Sequence, residues 1–285
     1  MIYVVWGSTY YFIGEAMREM PICLLGAVRF SVAGGILLIA ALWQGEKPFR
    51  RRLIGVSSLC GLLLLFTDMA IIMLAQRYIT SSLEAVLAAS TLVWITLMDF
   101  RMWRRNFTKP GVVIGIISGL SGVALLYWGE LSIPGGQGSY GVLLFMVACL
   151  SWSLGTLISK YKASAYERLN AWSGTAWQML TAGAAFWLCS SLSGEWSDLS
   201  QMHLSLHTWG ALIYLIIFGS VLAYSSYVWL LKTRPATEVG THAYANPLVA
   251  MLLGAFGGNE IIRLPQYIGL GVIFLSLFLI NHQHE

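Results

Sequence analysis

The chain has 285 residues, of which 57% are hydrophobic and only 11% are charged. Soluble domains carry about 25% charged residues, so this composition excludes an ordinary water-soluble globular protein. Ten spans of about 20 residues would use most of the chain and leave no room for a nucleotide-binding domain. The sequence also contains no G-x-x-x-x-G-K-[ST] string, which excludes an ATP-driven pump built from this chain alone.

Ten apolar runs follow one another along the chain. They carry few or no charged residues, and most are long enough to cross about 30 Å of hydrocarbon as a helix. We number them span 1 to span 10, at residues 2–13, 21–43, 53–75, 82–98, 111–128, 140–159, 170–193, 208–231, 239–258 and 264–281. Spans 1 and 4 are short, and the length of span 1 favours a numbering that begins inside the first helix. The pattern predicts an all-α polytopic membrane protein with ten transmembrane helices.

Basic residues alternate between the connections. Thirteen of the 17 Lys and Arg residues lie in the even-numbered connections, against three in the odd-numbered ones. Connections rich in Lys and Arg stay on the cytoplasmic side of a membrane. The distribution therefore predicts a multi-pass protein of the bacterial inner membrane with both termini in the cytoplasm.

The connection at residues 129–139 divides the chain into two halves of five spans, residues 1–128 and 140–285. Five is an odd number, so the second half would enter the membrane from the opposite face. Such inverted repeats are typical of transporters, with the substrate path near the midplane between them. Short segments match in order between the halves: Ala27-Val28-Arg29 with Ala176-Trp177-Gln178, Ala33-Gly34 with Ala182-Gly183, and Ser90 with Asn246.

Among the ionisable residues in or beside spans, where charge is costly and marks candidate functional sites, three are singled out. Asp68 in span 3 has two interpretations of equal weight: a hydrogen-bonded contact between helices, or a cavity carboxylate that binds a substrate amine or carries a proton. Arg29 in span 2 is interpreted first as a tie to another helix, with a gate or substrate contact as the alternative. Glu238 is interpreted as a structural or gate residue at a helix N-terminus.

Span 9 carries the most informative polar pattern. Glu238, His242 and Asn246 recur every fourth residue, which places them on one helix face. Pro247 follows, and its missing N–H weakens the helix there, so we expect a hinge. Ser90 and Trp94 are the corresponding candidates in span 4. His242 is open between a packed histidine and a substrate contact.

Several aromatic residues lie deep in the spans beside small or polar residues. Such an interior suits a zwitterion with an apolar side chain better than a phosphate or a sugar acid, although aromatic core packing would produce the same pattern. The candidates for lining a substrate site are Trp6, Tyr10, Trp94, Trp152, Tyr224 and Tyr227.

Enzymatic and metal sites find no support in the sequence. It contains neither G-x-S-x-G nor H-E-x-x-H, so we expect no catalytic residues. Its four cysteines, Cys23, Cys60, Cys149 and Cys189, lie in apolar runs without metal-ligand spacing, and we interpret them as small buried hydrophobic residues. We expect no metal and no cofactor.

Three segments resemble EamA-type members of the drug/metabolite transporter superfamily. They are W-G-S-T-Y at residues 6–10, A-V-R-F at 27–30 and A-Y-A-N-P-L-V-A at 243–250. The resemblance covers essentially the whole chain and implies the ten-helix, five-plus-five layout. It also implies export of amino acids and other small metabolites from bacteria, as in the aromatic amino acid and threonine/homoserine exporters. Thr91-Leu92 departs from the family, because first-half repeats often carry a proline there.

These observations together predict an exporter of amino acids, including aromatic and apolar ones, that works by alternating access. The aromatic candidates would line the apolar part of the site, and His242 and Asn246 would orient the polar end of the substrate. Proton coupling through Asp68 or His242 stays open, as does the choice between monomer and dimer. The alternatives are an exporter of other metabolites or drugs and, with less support, a membrane-embedded enzyme or receptor. The expected partners are small-molecule substrates and the lipid bilayer, with no nucleic acid.

Overall fold

A computed structural model describes residues 1–79, 87–126, 135–163, 171–195, 204–246, 249 and 264–282. Every regular element within these ranges is helical, which confirms the all-α prediction. The helices are α1 (Ile2–Met17), α2 (Ile22–Trp43), α3 (Arg51–Ala75), α4 (Thr91–Met98), α5 (Trp103–Thr108), α6 (Pro110–Leu126), α7 (Gly135–Ile158), α8 (Ala171–Leu192), α9 (Leu206–Thr233), α10 (Ala236–Gly240) and α11 (Leu264–His282). Residues 242–246, after α10, are helical again.

Four helices within the described residues are long and apolar enough to cross a membrane. They are α2, α3, α9 and the segment Gly138–Ala163, which includes most of α7. The observed bounds follow the predicted spans closely, as in α8, which begins at Ala171 and ends at Leu192 within the predicted span 7. Agreement of this kind is expected, because a helix in an apolar run ends where polar and turn-forming residues begin.

The helices form two compact units. The first consists of Met1–Ala70 and Gly155–Thr233, and the second of Ile71–Leu154 and Arg234–Glu285. Each unit therefore contains helices from both halves of the sequence.

In the first unit, α2 and α8 pack antiparallel along their lengths. Glycines allow the two backbones to approach closely, as small residues do between membrane helices. A Cβ on Gly34 would lie 2.8 Å from Leu180 of α8, and one on Gly183 would lie 2.6 Å from the hydroxyl of Ser31. Neither glycine therefore has room for a larger side chain.

Glutamate side chains cap the N-termini of this helix pair. Glu195 accepts hydrogen bonds from the backbone N–H groups of Cys23 (3.2 Å) and Leu24 (2.9 Å) at the start of α2. Glu46 accepts hydrogen bonds from two backbone N–H groups at the start of α8, at 3.3 and 2.8 Å. A carboxylate at a helix N-terminus satisfies N–H groups that have no partner in the helix and complements the helix dipole.

The two capping glutamates occupy equivalent positions. Each directly follows a glycine with positive φ, Gly45 at 73° and Gly194 at 75°. Only glycine adopts this backbone conformation readily, and it ends α2 and α8 in the same way. Glu46 and Glu195 are 149 residues apart, the same separation as between Ala27 and Ala176.

A third glutamate holds the start of α9. The Glu19 carboxylate accepts a hydrogen bond from the backbone N–H of Ser205 and another from the Thr208 hydroxyl, both at 2.7 Å. These hydrogen bonds favour the ionised carboxylate and hold the pKa of Glu19 below its usual value of 4.5.

Three segments of the first unit are π-helical. They are Leu62–Thr67 in α3, Ser159–Ala163 directly after α7, and Leu215–Tyr224 in α9. Segments of this kind are rare in proteins and occur frequently at functional sites. In this unit they lie beside the polar and aromatic residues described below.

In the second unit, α6 packs on α11 and α4 packs on α10. A Cβ on Gly115 of α6 would lie 2.7 Å from Ile280, and one on Gly240 of α10 would lie 2.9 Å from Leu92 of α4. The Tyr244 hydroxyl donates a hydrogen bond to the carbonyl of Ile116 at 3.0 Å, which ties residues 242–246 to α6.

Candidate functional site

Three predicted aromatic residues of the first unit, Trp6, Tyr224 and Tyr227, lie together, and we call them the aromatic cluster. The centroids of the Trp6 and Tyr227 rings are 5.1 Å apart, and those of Tyr224 and Tyr227 are 6.3 Å apart. All three side chains are buried. The sequence candidates on span 1 and span 8 therefore come together within one unit.

The polar atoms of the aromatic cluster are hydrogen-bonded to the protein. The Trp6 Nε1–H donates to the Gly219 carbonyl at 3.1 Å, and the Tyr224 hydroxyl donates to Oε1 of Gln178 at 2.6 Å. The Tyr227 hydroxyl shares a 2.6 Å hydrogen bond with the Thr156 hydroxyl. Because these contacts fix the ring orientations, the cluster is a rigid group whose polar atoms are all satisfied within the protein.

Arg29 is buried beside the aromatic cluster. Its Nε–H donates to the Ser220 hydroxyl at 2.9 Å, and its guanidinium lies 5.0 Å from the centroid of the Phe30 ring. A Cβ on Gly219 would lie 3.1 Å from Nη2 of Arg29. The contact with Ser220 joins α2 to α9, as expected for the interpretation of Arg29 as a tie between helices.

Asp68 lies in α3, directly after its π-helical turns, and is only 4% exposed. No residue in the described part of the chain forms an ion pair or a hydrogen bond with its carboxylate. An isolated buried charge is expensive, so the site favours either a neutral carboxyl or a ligand of opposite charge. The side chain of the remaining candidate on α1, Tyr10, lies outside the described residues.

In the second unit, Trp152 and His242 lie side by side. Their ring centroids are 6.2 Å apart and their planes are inclined by 57°. The Nδ1–H of His242 donates to the carbonyl of Val239 at 2.9 Å. In a neutral imidazole this tautomer makes Nε2 a hydrogen-bond acceptor.

Asn246 lies one helical turn after His242 and is 6% exposed. Its Oδ1 atom is fully buried and has no hydrogen-bond partner among the described residues. A buried amide oxygen without a partner costs about 1–3 kcal/mol, so such an atom is a candidate contact for water or a ligand. Pro247, the residue at which the sequence predicts a hinge, lies outside the described residues.

Glu238, the first member of the predicted polar face, forms an ion pair. Its Oε1 atom lies 3.4 Å from Nη1 of Arg234, one turn earlier in the chain. Its Oε2 atom is buried without a hydrogen-bond partner in the described part of the chain. One of the two carboxylate oxygens of Glu238 therefore has a charged partner. This ion pair is consistent with a structural role for Glu238.

The two candidates from span 4 have mainly local contacts. The Ser90 hydroxyl donates to the Leu87 carbonyl at 2.6 Å and lies 3.9 Å from the sulfur of Met146. The half-buried side chain of Trp94 packs against a hydrophobic cluster that includes Phe145 and Cys149. These contacts are those of packing residues.

A groove of about 310 Å³ lies on the first unit between α8 and α9. None of the predicted site residues lines it. Its lining is mixed, with two tryptophans, three hydroxyl side chains and one lysine: Trp172, Thr175, Ser225, Ser226, Trp229 and Lys232.

Sequence reasoning missed the polar partners that hold the aromatic cluster and Arg29. Thr156, Gln178 and Ser220 are uncharged residues in apolar spans, and each is buried and hydrogen-bonded. One signal was present, because Gln178 aligns with Arg29 in the internal match between the halves. Amide and hydroxyl side chains in apolar spans are therefore candidate site residues in the same way as charged side chains.

The cysteine interpretation needs a correction. Cys60 and Cys149 are buried, as expected, but Cys23 and Cys189 are only partly buried. The Sγ atoms of this second pair lie 2.8 Å apart. The described residues contain no group of three or more His, Cys, Asp or Glu side chains arranged to hold a metal ion.

Comparison with known proteins identifies the family of the chain. The model of the EamA-like transporter family matches residues 1–128 and 139–282. An Escherichia coli (strain K12) protein named "Uncharacterized inner membrane transporter YedA" is 31% identical over 281 residues, which cover 98% of this chain and 88% of that protein. The Bacillus subtilis (strain 168) "Uncharacterized transporter YvbV" is 24% identical over 286 residues, covering 98% of this chain and 88% of that protein.

The fold also matches a solved crystal structure. The TM-score is 0.79 at 19% identity, and the match covers 99% of this chain and 94% of that chain. The family model, the two relatives and the apolar helices agree with one another. The chain belongs to the EamA-like transporter family and is a membrane transporter.

Proposed function

We propose that this transporter exports amino acids, including aromatic and large apolar ones, by alternating access. The observation that carries the proposal is the aromatic cluster, whose polar atoms are all hydrogen-bonded to the protein. In a state open to substrate, these rings would pack against an apolar or aromatic side chain, since rings pack favourably edge to face or offset. The three residues of the cluster carry no charge, and the Arg29 guanidinium beside them is hydrogen-bonded to Ser220.

The second unit carries its own candidate groups for contact with a polar part of a substrate. Oδ1 of Asn246 is a buried acceptor without a partner among the described residues, and it would accept a hydrogen bond from an ammonium group. His242, whose Nδ1–H donates to the Val239 carbonyl, would accept a hydrogen bond from the substrate at Nε2. Trp152 packs against His242 and would fix the orientation of the imidazole.

The proposed architecture is two inverted repeats of five helices, residues 1–128 and 140–285. The glutamate caps support it, since Glu46 acts on the start of α8 as Glu195 acts on the start of α2. Contacts of Gly34 with Leu180 and of Gly183 with Ser31 support it in the same way, because an offset of 149 residues exchanges one contact for the other. The family match in two segments also agrees with this division.

We place both termini in the cytoplasm of a bacterium, with the chain crossing the inner membrane ten times. The uneven distribution of Lys and Arg supports this orientation. Reporter fusions inserted in the connection at residues 44–50 and in the connection at residues 129–139 should report opposite sides of the membrane. The same side for both would contradict the topology.

Purified protein in liposomes tests the proposed substrate class. We expect uptake of labelled phenylalanine, tryptophan or leucine at least about tenfold above empty liposomes. The compounds tested for uptake also include a sugar phosphate, a nucleoside and a cationic dye. Transport of the dye or nucleoside without any amino acid would favour the alternative, an exporter of other metabolites or drugs.

A further inference from the structure

Two of the four cysteines lie next to each other although they are far apart in the sequence. Cys23 is in the first turn of α2, Cys189 is in the last turn of α8, and their Sγ atoms are 2.8 Å apart. Both thiols are free and partly buried. A disulfide bond has a sulfur–sulfur distance of about 2.05 Å, so the two sulfur atoms would have to approach by less than about 1 Å to form it.

The surrounding contacts hold the two cysteines in place. Glu195 accepts hydrogen bonds from the backbone N–H of Cys23 and from the hydroxyl of Ser190, the residue after Cys189. Further along the helix pair, the rings of Phe30 and Phe186 stack with centroids 5.8 Å apart. Because both backbones are fixed on each side of the sulfur atoms, this geometry is a property of the folded helix pair.

The position of the pair along the helices matters for its redox state. α2 begins after the first connection and α8 ends before the seventh, and both connections are poor in Lys and Arg. In the orientation proposed above, this end faces away from the cytoplasm. Disulfides form and persist on that side of the bacterial inner membrane, whereas cytoplasmic thiols are kept reduced.

We propose that Cys23 and Cys189 form an intramolecular disulfide that joins α2 to α8. The oxidant is a disulfide, carried by an oxidoreductase or a small molecule such as oxidised glutathione. One thiolate attacks it to give a mixed disulfide and releases one thiol, and the second cysteine then displaces the other thiol. The pair loses two protons and two electrons, and the oxidant is reduced to two thiols.

The bond would join a helix of the first half of the sequence to a helix of the second half. Both helices belong to the same compact unit, so the bond reinforces an existing helix contact. By cross-linking residues far apart in the chain, it also restricts the unfolded state. Reduction should therefore lower the unfolding temperature of the wild type and leave that of Cys23→Ser unchanged.

Thiol counting tests the proposal directly. Cells are quenched in acid, the protein is denatured and labelled with a maleimide, and its intact mass is measured with and without reduction. We expect two labels before reduction, on Cys60 and Cys149, and four labels after it. Cys23→Ser and Cys189→Ser should each carry three labels under both conditions. The matched control Cys60→Ser should carry one label before reduction and three after.

A second arm treats the purified, folded protein with oxidised glutathione. Closure of the pair in this arm but not in cells would support the disulfide and contradict the proposed membrane orientation. Four free thiols after this treatment would overturn the proposal, and so would a disulfide-linked dimer on a non-reducing gel. Neither result depends on which substrate the protein carries.

Discussion

Asp68 lies in surroundings that are unfavourable for a charge. It is buried in α3, and no residue in the described ranges pairs with it. If it carries the coupling proton, Asp68→Asn should abolish uptake driven by a pH gradient and leave counterflow exchange intact, because the amide keeps the shape but cannot ionise. Proteoliposome assays with and without a pH gradient make this comparison.

The matched control for Asp68 is Asp99→Asn. Asp99 is also buried, but it has interaction partners in the structure. This variant should keep its dependence on the gradient. Full gradient-driven transport by Asp68→Asn would remove Asp68 from the mechanism, and loss of folded protein would favour its role as a helix contact.

Glu19 provides a prediction about pH. Its hydrogen bonds to Ser205 and Thr208 hold the pKa of its carboxyl below the usual value of 4.5. The stabilisation is therefore present above pH 4.5 and is lost as the pH falls through the lower pKa of the folded state. Between about pH 6 and about pH 3, the unfolding temperature should fall further for the wild type than for Glu19→Gln. An equal fall in both proteins would contradict this role.

At the scale of helices, Gly61 of α3 tests close packing, and Gly55 of the same helix is its matched control. A Cβ on Gly61 would overlap the backbone carbonyl of Gln178 in α8, whereas one on Gly55 would meet nothing within 4 Å. Gly61→Ala should cost about 1–3 kcal/mol through overpacking. Gly55→Ala should be neutral or stabilise by up to about 1 kcal/mol through helix propensity. Thermal unfolding in detergent measures both, and similar effects would contradict the close packing of α3 on α8.

The glutamate caps provide a second prediction at this scale. Glu46→Ala and Glu195→Ala should each cost about 0.5–2 kcal/mol, because each leaves two N–H groups at a helix start without a carboxylate. The two caps lie at opposite ends of the α2–α8 pair, so the costs should add in the double variant to within about 0.5 kcal/mol. Unfolding temperatures of the three variants test this. If either single variant is as stable as the wild type, the carboxylate replaced in it does not stabilise the helix start.

Helix positions were predictable from the sequence, but helix partners were not. The bounds of α2 and α8 follow from apolar runs that end at turn-forming and charged residues. Their pairing depends on contacts such as Glu195 with Cys23, which are 172 residues apart and leave no periodic pattern. The internal match nevertheless contained a usable signal, since its offset leads from Gly45-Glu46 to Gly194-Glu195.

The candidate site was predicted in part for a similar reason. Depth in a span identified Trp6 and Tyr227, which lie together. The same criterion selected Trp94, whose contacts are those of a packing residue. Depth gives the position of a residue along the membrane normal, whereas the direction of its side chain depends on neighbouring helices.

At the scale of the whole molecule, each compact unit combines helices from both halves of the chain. The first unit holds the aromatic cluster, Arg29 and Asp68, and the second holds Trp152, His242 and Asn246. The candidate residues are therefore concentrated in two groups with different chemistry. The first is mainly aromatic, and the second combines an aromatic ring with an imidazole and a buried amide.

The initial rate of amino acid uptake by Trp152→Ala in proteoliposomes tests the proposed substrate path most directly. The matched control is Trp43→Ala, because Trp43 is 87% exposed at the end of α2. We predict that Trp152→Ala loses at least about tenfold in rate, with the folded yield of the wild type, while the control stays within about twofold. Equal rates for the two variants, or a collapse in the folded yield of Trp152→Ala, would contradict a substrate-contacting role for Trp152 and favour simple packing.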